Sequence, residues 1–167
     1  MSHAASVTEL GALDVGAVRA LLARYGVALV QVPPGRPIPF SYWGAPEAGL
    51  ERGRLYARAD TPAHSLLHEL GHYVCMDGAR RESLATDAGG DPDEECAVCY
   101  LQVVLADELP RFGREKAFDD MDAWGYSFRE GSVRDWWRGD ARFAREWLLT
   151  HALIDEHGRP TWRLRDR

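Results

Sequence analysis

Residues 68–72 read His-Glu-Leu-Gly-His. On an α-helix, positions four apart lie on one face, one turn from each other, so His68 and His72 can bring two imidazoles to a single ion. Glu69 is rotated by about 100° from His68, which sets it beside such an ion rather than on it. From there a carboxylate can take a proton from a water that Zn2+ has made acidic, the arrangement of HExxH zinc peptidases. The same five residues on a surface helix would be no more than two solvated histidines. A third ligand decides between these readings, because a catalytic zinc takes three protein ligands and one open position.

One class of third ligand is a histidine six residues after His72. Position 78 is Gly78, so that class is excluded. A carboxylate from a later helix is the other common solution. The run Asp91-Pro92-Asp93-Glu94-Glu95 opens such a segment and supplies several carboxylates. Acidic residues in a first helical turn also suit the helix dipole, so the run alone does not name a ligand.

These residues need elements to hold them. Asp14 is placed to cap a helix through Val18, Leu21, Leu22 and Tyr25, stopped by Gly26. Residues 27–32, Val-Ala-Leu-Val-Gln-Val, read as a buried strand, and 50–58 as a second strand, with a bulge or close approach at Gly53. Between them, residues 33–49 carry Pro33, Pro34, Pro37, Pro39 and Pro46 with Phe40, Tyr42 and Trp43. A long proline-rich loop of this kind is a candidate cleft wall. Thr61 and Pro62 are expected to cap and start the helix that carries 68–72, running to about Met76. Gly71 inside it costs roughly 1 kcal/mol relative to alanine, which suggests that another element approaches closely there. A polar, glycine-rich stretch follows at 77–90, then a helix over about 92–107 announced by Asp91-Pro92 and closed by Pro110. Residues 112–157 read as further helices packed by Trp124, Trp136, Trp137 and Trp147, the last helix ending at Gly158. Two strands followed by helices make an α+β domain, and 167 residues make one domain, 1–167.

Taken together, HELGHYVCM and the later Pro-Asp-Glu-Glu-Cys-Ala-Val-Cys-Tyr-Leu-Gln-Val-Val-Leu-Ala resemble the ImmA/IrrE family of bacterial metallopeptidases. That family pairs a HELGH helix with a later helix of the form Glu-Ala-(Asn)-x-Phe-Ala-x-x-Leu-Leu-x-Pro. The resemblance extends to the strands over 27–32 and 54–60 and is strongest over 14–110, leaving 111–167 as a helical extension. It implies a zincin-like minimal metallopeptidase fold, with a small sheet near the N-terminus and several helices. It implies His68, His72 and Glu95 as zinc ligands and Glu69 as general base. The second motif is looser here: Ala97 stands for the asparagine, Cys99-Tyr100 for Phe-Ala, and Leu-Ala-Asp-Glu-Leu-Pro for the closing segment. Glu94 stands as the alternative third ligand. The implied reaction is hydrolysis of a peptide bond in a specific cytoplasmic protein, of which a transcriptional repressor is one example. The rival expectation is a non-catalytic metal-binding or protein-interaction module, or a toxin-like component, that keeps the fold.

The net charge of −6 argues against direct contact with nucleic acid. No run of 18 apolar residues predicts a membrane helix, the N-terminal stretch lacks the pattern of a signal peptide, and three cysteines suit a reducing compartment, so a cytoplasmic location is expected. Cys75, Cys96 and Cys99 are expected in core packing, and His64 as a partly exposed first-turn residue rather than a ligand. The arginine-rich tail from Arg159 to Arg167 is expected to be solvated. A peptidase also needs a donor for the developing oxyanion. The candidates are Tyr42, Tyr100, Tyr126, His151 and His157, with Tyr126 in a glycine-containing turn.

Overall fold

A computed structural model describes residues 6–129 and 131–166. Residues 1–5, part of the stretch read for a signal peptide, and Arg167 of the tail lie outside them. The chain is α+β. The described residues form a three-stranded sheet and seven α-helices.

Asp14 caps α1 (Val15–Ala23), its carboxylate accepting from the amides of Gly16 and Ala17. Gly26, at φ +73°, takes the left-handed turn that lets the chain reverse. Strand β1 (Ala28–Gln31) follows, and only Leu29 of it is fully buried. The segment expected to be one strand over 50–58 is a hairpin, β2 (Gly49–Glu51) and β3 (Arg54–Ala57). Arg52 and Gly53 make its turn, with Arg52 at φ +52°. Sequence periodicity misses this hairpin because its strands are too short to show alternation. β3 lies in the centre, parallel to β1 and antiparallel to β2. Gly53 makes neither the bulge nor the close approach expected of it: it sits in the hairpin turn, its carbonyl accepts from Ala28, and a Cβ there would meet the carbonyl of Gly26 at 3.4 Å, an ordinary contact.

From β3 a tight turn feeds the central helix, α2 (Ala63–Cys75). Thr61 does not cap it. Its hydroxyl accepts from the amide of Arg58 at 2.9 Å and closes the turn, and Pro62 occupies the cap position. Arg58 and Asp60 clamp the same turn with a two-pronged ion pair. Helix α2 is buried on nearly every side, its polar His64, Ser65 and His72 included. His68, Glu69 and Tyr73 are its incompletely buried residues.

The stretch 77–90 is not all loop. Asp77 caps a short helix, α3 (Gly78–Ser83). Helix α4 (Pro92–Ala106) starts where Asp91 and Pro92 predict, with the Asp91 carboxylate accepting from the amide of Glu94. It packs across α2, and the contact point is Gly71: a Cβ there would lie 3.0 Å from Val98 Cγ1 and 3.3 Å from the Val98 carbonyl. The helix-propensity cost of Gly71 is thereby offset by the closeness of the two helices. Helices α5 (Arg114–Trp124), α6 (Val133–Gly139) and α7 (Arg142–Thr150) cover the other side of α4. The last helix ends at Thr150, not near Gly158. Residues 155–158 form a turn, with Asp155 accepting from His157 and Arg159. One continuous core runs from Leu10 to Ile154. Trp136 is buried in it and Trp137 and Trp147 lean on it, but Trp124 is 36 % exposed and faces a cleft instead.

The tail is not simply solvated. Its backbone at Arg165 donates to the carbonyl of Val74 at 3.0 Å, and the Arg165 guanidinium donates to the carbonyl of Cys75 at 3.2 Å. Trp162 packs on Tyr25 beneath the guanidinium of Arg24. No helix among the described residues is long and apolar enough to cross a membrane.

Candidate metal centre

The helical spacing of His68 and His72 sets their rings 4.7 Å apart, edge to face. The close α2–α4 packing then brings the first turn of α4 over them. Glu95 Oε1 lies 3.1 Å from His68 Nε2, and Glu95 Oε2 lies 3.2 Å from His72 Nε2. The three residues offer ligand atoms within 4.8 Å of one another, a set able to hold a metal ion. Ligand bonds of about 2.0–2.1 Å imply separations of roughly 3.3 Å between donors around a small tetrahedral ion, and the observed spacings are of that size. The donor chemistry, two imidazoles and a carboxylate, fits a borderline-soft divalent ion.

Glu94, the alternative ligand, points the other way. Its buried carboxylate is held by Arg80, at 2.8 and 2.7 Å, and by Arg165, at 3.0 Å. Adjacent helical residues face about 100° apart, so only one of the two glutamates can face the histidines.

The histidines are oriented from behind. His68 Nδ1 lies 3.0 Å from the Gln102 side-chain oxygen, which can only accept, so Nδ1 donates to it and Nε2 is the nitrogen turned toward Glu95 and the ligand position. Gln102, fully buried, spends its amide hydrogens on the carbonyl of His64 at 2.6 Å and the hydroxyl of Tyr126 at 3.2 Å. This residue was not anticipated. It lies seven positions after Glu95, two turns along the face of α4 that meets α2, and that spacing is the signal that could have found it. Among the described residues, His72 Nδ1 is buried without a hydrogen-bond partner.

Charge at the site follows from burial. Burial works against charge on His68, yet Tyr126, Cys99 and Glu95 around it hold its pKa well above the ordinary histidine value. Burial, then the charge of His68, lowers His72 to about 4. Burial raises Glu69 to about 7, against the opposing pull of His68.

Glu69, His68 and Glu95 line two adjoining hollows, and His72 lines the first of them. One, of about 270 Å³, is walled by Tyr42, Trp43 and residues 86–89. The other is walled by Trp43, Glu47, Trp124 and Tyr126. The loop 33–49 is thus a cleft wall, and Ser65 of α2 pins it by accepting from the amide of Ala48 at 3.0 Å.

The remaining expected residues separate. His64 is fully buried, not partly exposed: its Nδ1 lies 3.3 Å from the Tyr126 hydroxyl and its ring rests on Trp124. It takes no part in the trio. A first-turn position is exposed only if nothing covers it, and here the 124–126 turn does. Cys75 and Cys99 are buried, Cys99 beside His68, whereas Cys96 is exposed, because it follows Glu95 around the first turn of α4. Of the oxyanion candidates, Tyr42 lines the open hollow and Tyr126 stands against the His68 ring. Tyr100 stacks on Trp137, His151 lies on Trp147, and exposed His157 lies in the turn that Asp155 closes, beside Glu156. Among protein-family models, curated proteins and solved structures, none matches this chain.

Proposed function

We propose that the chain is a zinc-dependent metallopeptidase of the ImmA/IrrE type, with a zincin-like fold. The observation that carries this reading is the convergence of His68, His72 and Glu95, with Glu69 beside them on the floor of an open cleft. His68, His72 and Glu95 would hold the ion, and Gln102 would keep His68 in the ligating tautomer. When bound, zinc would act as a Lewis acid toward a substrate carbonyl and make a water acidic enough to ionise near neutral pH. Glu69 takes the proton as water adds to the peptide carbonyl, and returns it to the nitrogen as the C–N bond breaks. Tyr42 is the residue on the open side able to donate to the developing oxyanion. The products are a carboxylate and an amine.

The substrate is a protein of the same cytoplasm, and a transcriptional repressor is the regulatory example that the family resemblance suggests. The acidic surface turns away nucleic acid. Comparing new protein N-termini in cells that express wild type or Glu69→Gln tests this. A fragment that appears with wild type and is missing with the variant identifies the substrate. If the two sets of termini coincide under every stress applied, the peptidase reading fails and a non-catalytic module takes its place.

A further inference from the structure

Among the described residues, four large hydrophobic side chains are conspicuously exposed: Tyr42 at 55 %, Trp43 at 75 %, Trp124 at 36 % and Phe143 at 70 %. Three of the four stand around the metal trio. Tyr42 and Trp43 meet edge to face at 4.9 Å, so each holds the other out from the surface. Trp43 borders both hollows, and Trp124 walls the second. An exposed aromatic cluster at one place marks a binding surface rather than a packing residue left over.

Apart from His68, the charged side chains lining the cleft are acidic. Beyond Glu69 and the ligand Glu95, the first hollow has Asp87 and the second has Glu47. Neither hollow is lined by a lysine or an arginine among the described residues. Glu47 is positioned through its neighbour, whose amide at Ala48 is anchored on the Ser65 hydroxyl at 3.0 Å, and it lines the same hollow as Trp124. A carboxylate that shares a hollow with two exposed indoles matches a guanidinium or ammonium, which ion-pairs with the first and stacks on the face of the second. A neutral apolar side chain would fill the aromatic walls but leave Glu47 desolvated without a partner. An acidic one would be repelled on both sides.

We propose that the hollow between Trp43, Glu47 and Trp124 is a specificity pocket for an arginine or lysine side chain of a peptide lying across the centre. The proposal rests on the peptidase reading for the orientation of that peptide, and it names the class of segment cut: one with a basic residue next to the scissile bond.

The test is binding, measured by fluorescence anisotropy on the full-length Glu69→Gln protein loaded with zinc. The probes are labelled, blocked peptides that differ at one residue: arginine against citrulline, and lysine against norleucine. The basic member of each pair should bind about tenfold more tightly or better. The preference should weaken as salt is raised. Glu47→Gln and Trp43→Ala, each added to Glu69→Gln, should cut it to less than about threefold, with zinc content unchanged as the sign that the fold is intact. Equal binding of the paired peptides, no binding at all, or a preference that survives both substitutions overturns the pocket. Cleavage by wild type separates the two ideas. A basic preference in binding without any cleavage sinks the peptidase and keeps the pocket. Cleavage that ignores the basic residue sinks the pocket and keeps the peptidase.

Discussion

At the scale of single residues, Gln102 carries more than its position on a buried helix suggests. It accepts from His68, and it donates to the carbonyl of His64 and the hydroxyl of Tyr126. Gln102→Leu frees the His68 ring to turn and to carry its hydrogen on Nε2. Zinc affinity, measured by competition with a chelating dye, should fall about 10–100-fold. Gln102→Glu, which keeps an acceptor for His68, should bind zinc more tightly than Gln102→Leu. His64 gives a prediction in pH. Burial, then the charge of His68, lowers its pKa to about 3, whereas the unfolded chain protonates it near its ordinary value of about 6.5. Between those values the unfolded state binds more protons. Stability attributable to neutral His64 is therefore complete above about pH 6.5 and is lost as pH falls toward 3. His72 is depressed in the same direction and adds to the slope. In urea unfolding from pH 7 to pH 4.5, His64→Phe should show a shallower fall than wild type, by at most about 1.4 kcal/mol per pH unit. A variant whose fall is as steep as wild type would show that His64 does not titrate in this way.

At the scale of elements, the centre is a product of how α2 and α4 cross. Gly71→Ala gains about 1 kcal/mol in helix propensity but puts a methyl 3.0 Å from Val98 Cγ1. Val98 is fully buried and its carbonyl stands at 3.3 Å, so Val98 and the helix that carries it must give by a few tenths of an ångström. A net loss of about 1–3 kcal/mol in thermal or urea unfolding is expected, with weaker zinc binding as Glu95 moves off the histidines. Adding Val98→Ala should restore part of both, and a strictly additive double variant would refute the contact. This crossing also explains what could be read in the sequence. His68, Glu69 and His72 are legible because helical spacing is local, and the caps at Asp14 and Asp91 are legible for the same reason. Glu95 required a resemblance, since nothing local separates it from Glu94. Glu47, Gln102, Trp124 and Tyr126 reach the centre only through long-range packing of the loop, α4 and α5. The hairpin at 49–57 was hidden because three- and four-residue strands carry too little pattern. Gly71 was a long-range hint that the fold answers, a glycine whose cost needed a neighbour.

At the scale of the whole molecule, the C-terminal segment returns to the centre of the fold. Arg165 takes the carbonyl of Cys75 and the carboxylate of Glu94 with one guanidinium, which also lies over the ring of Trp147. Its backbone is tied to Val74. The last turn of α2 carries His72 and the first turn of α4 carries Glu95, so neither turn can fray without disturbing the same half-buried arginine. Two helix ends that would ordinarily open independently become one cooperative unit. In hydrogen exchange on the metal-free protein, the amides at the end of α2 and those in the first turns of α4 should share a single opening free energy. In Arg165→Met they should part, each end fraying at its own rate. The chain would then keep its ligands and lose the rigidity that holds them ready before any ion arrives.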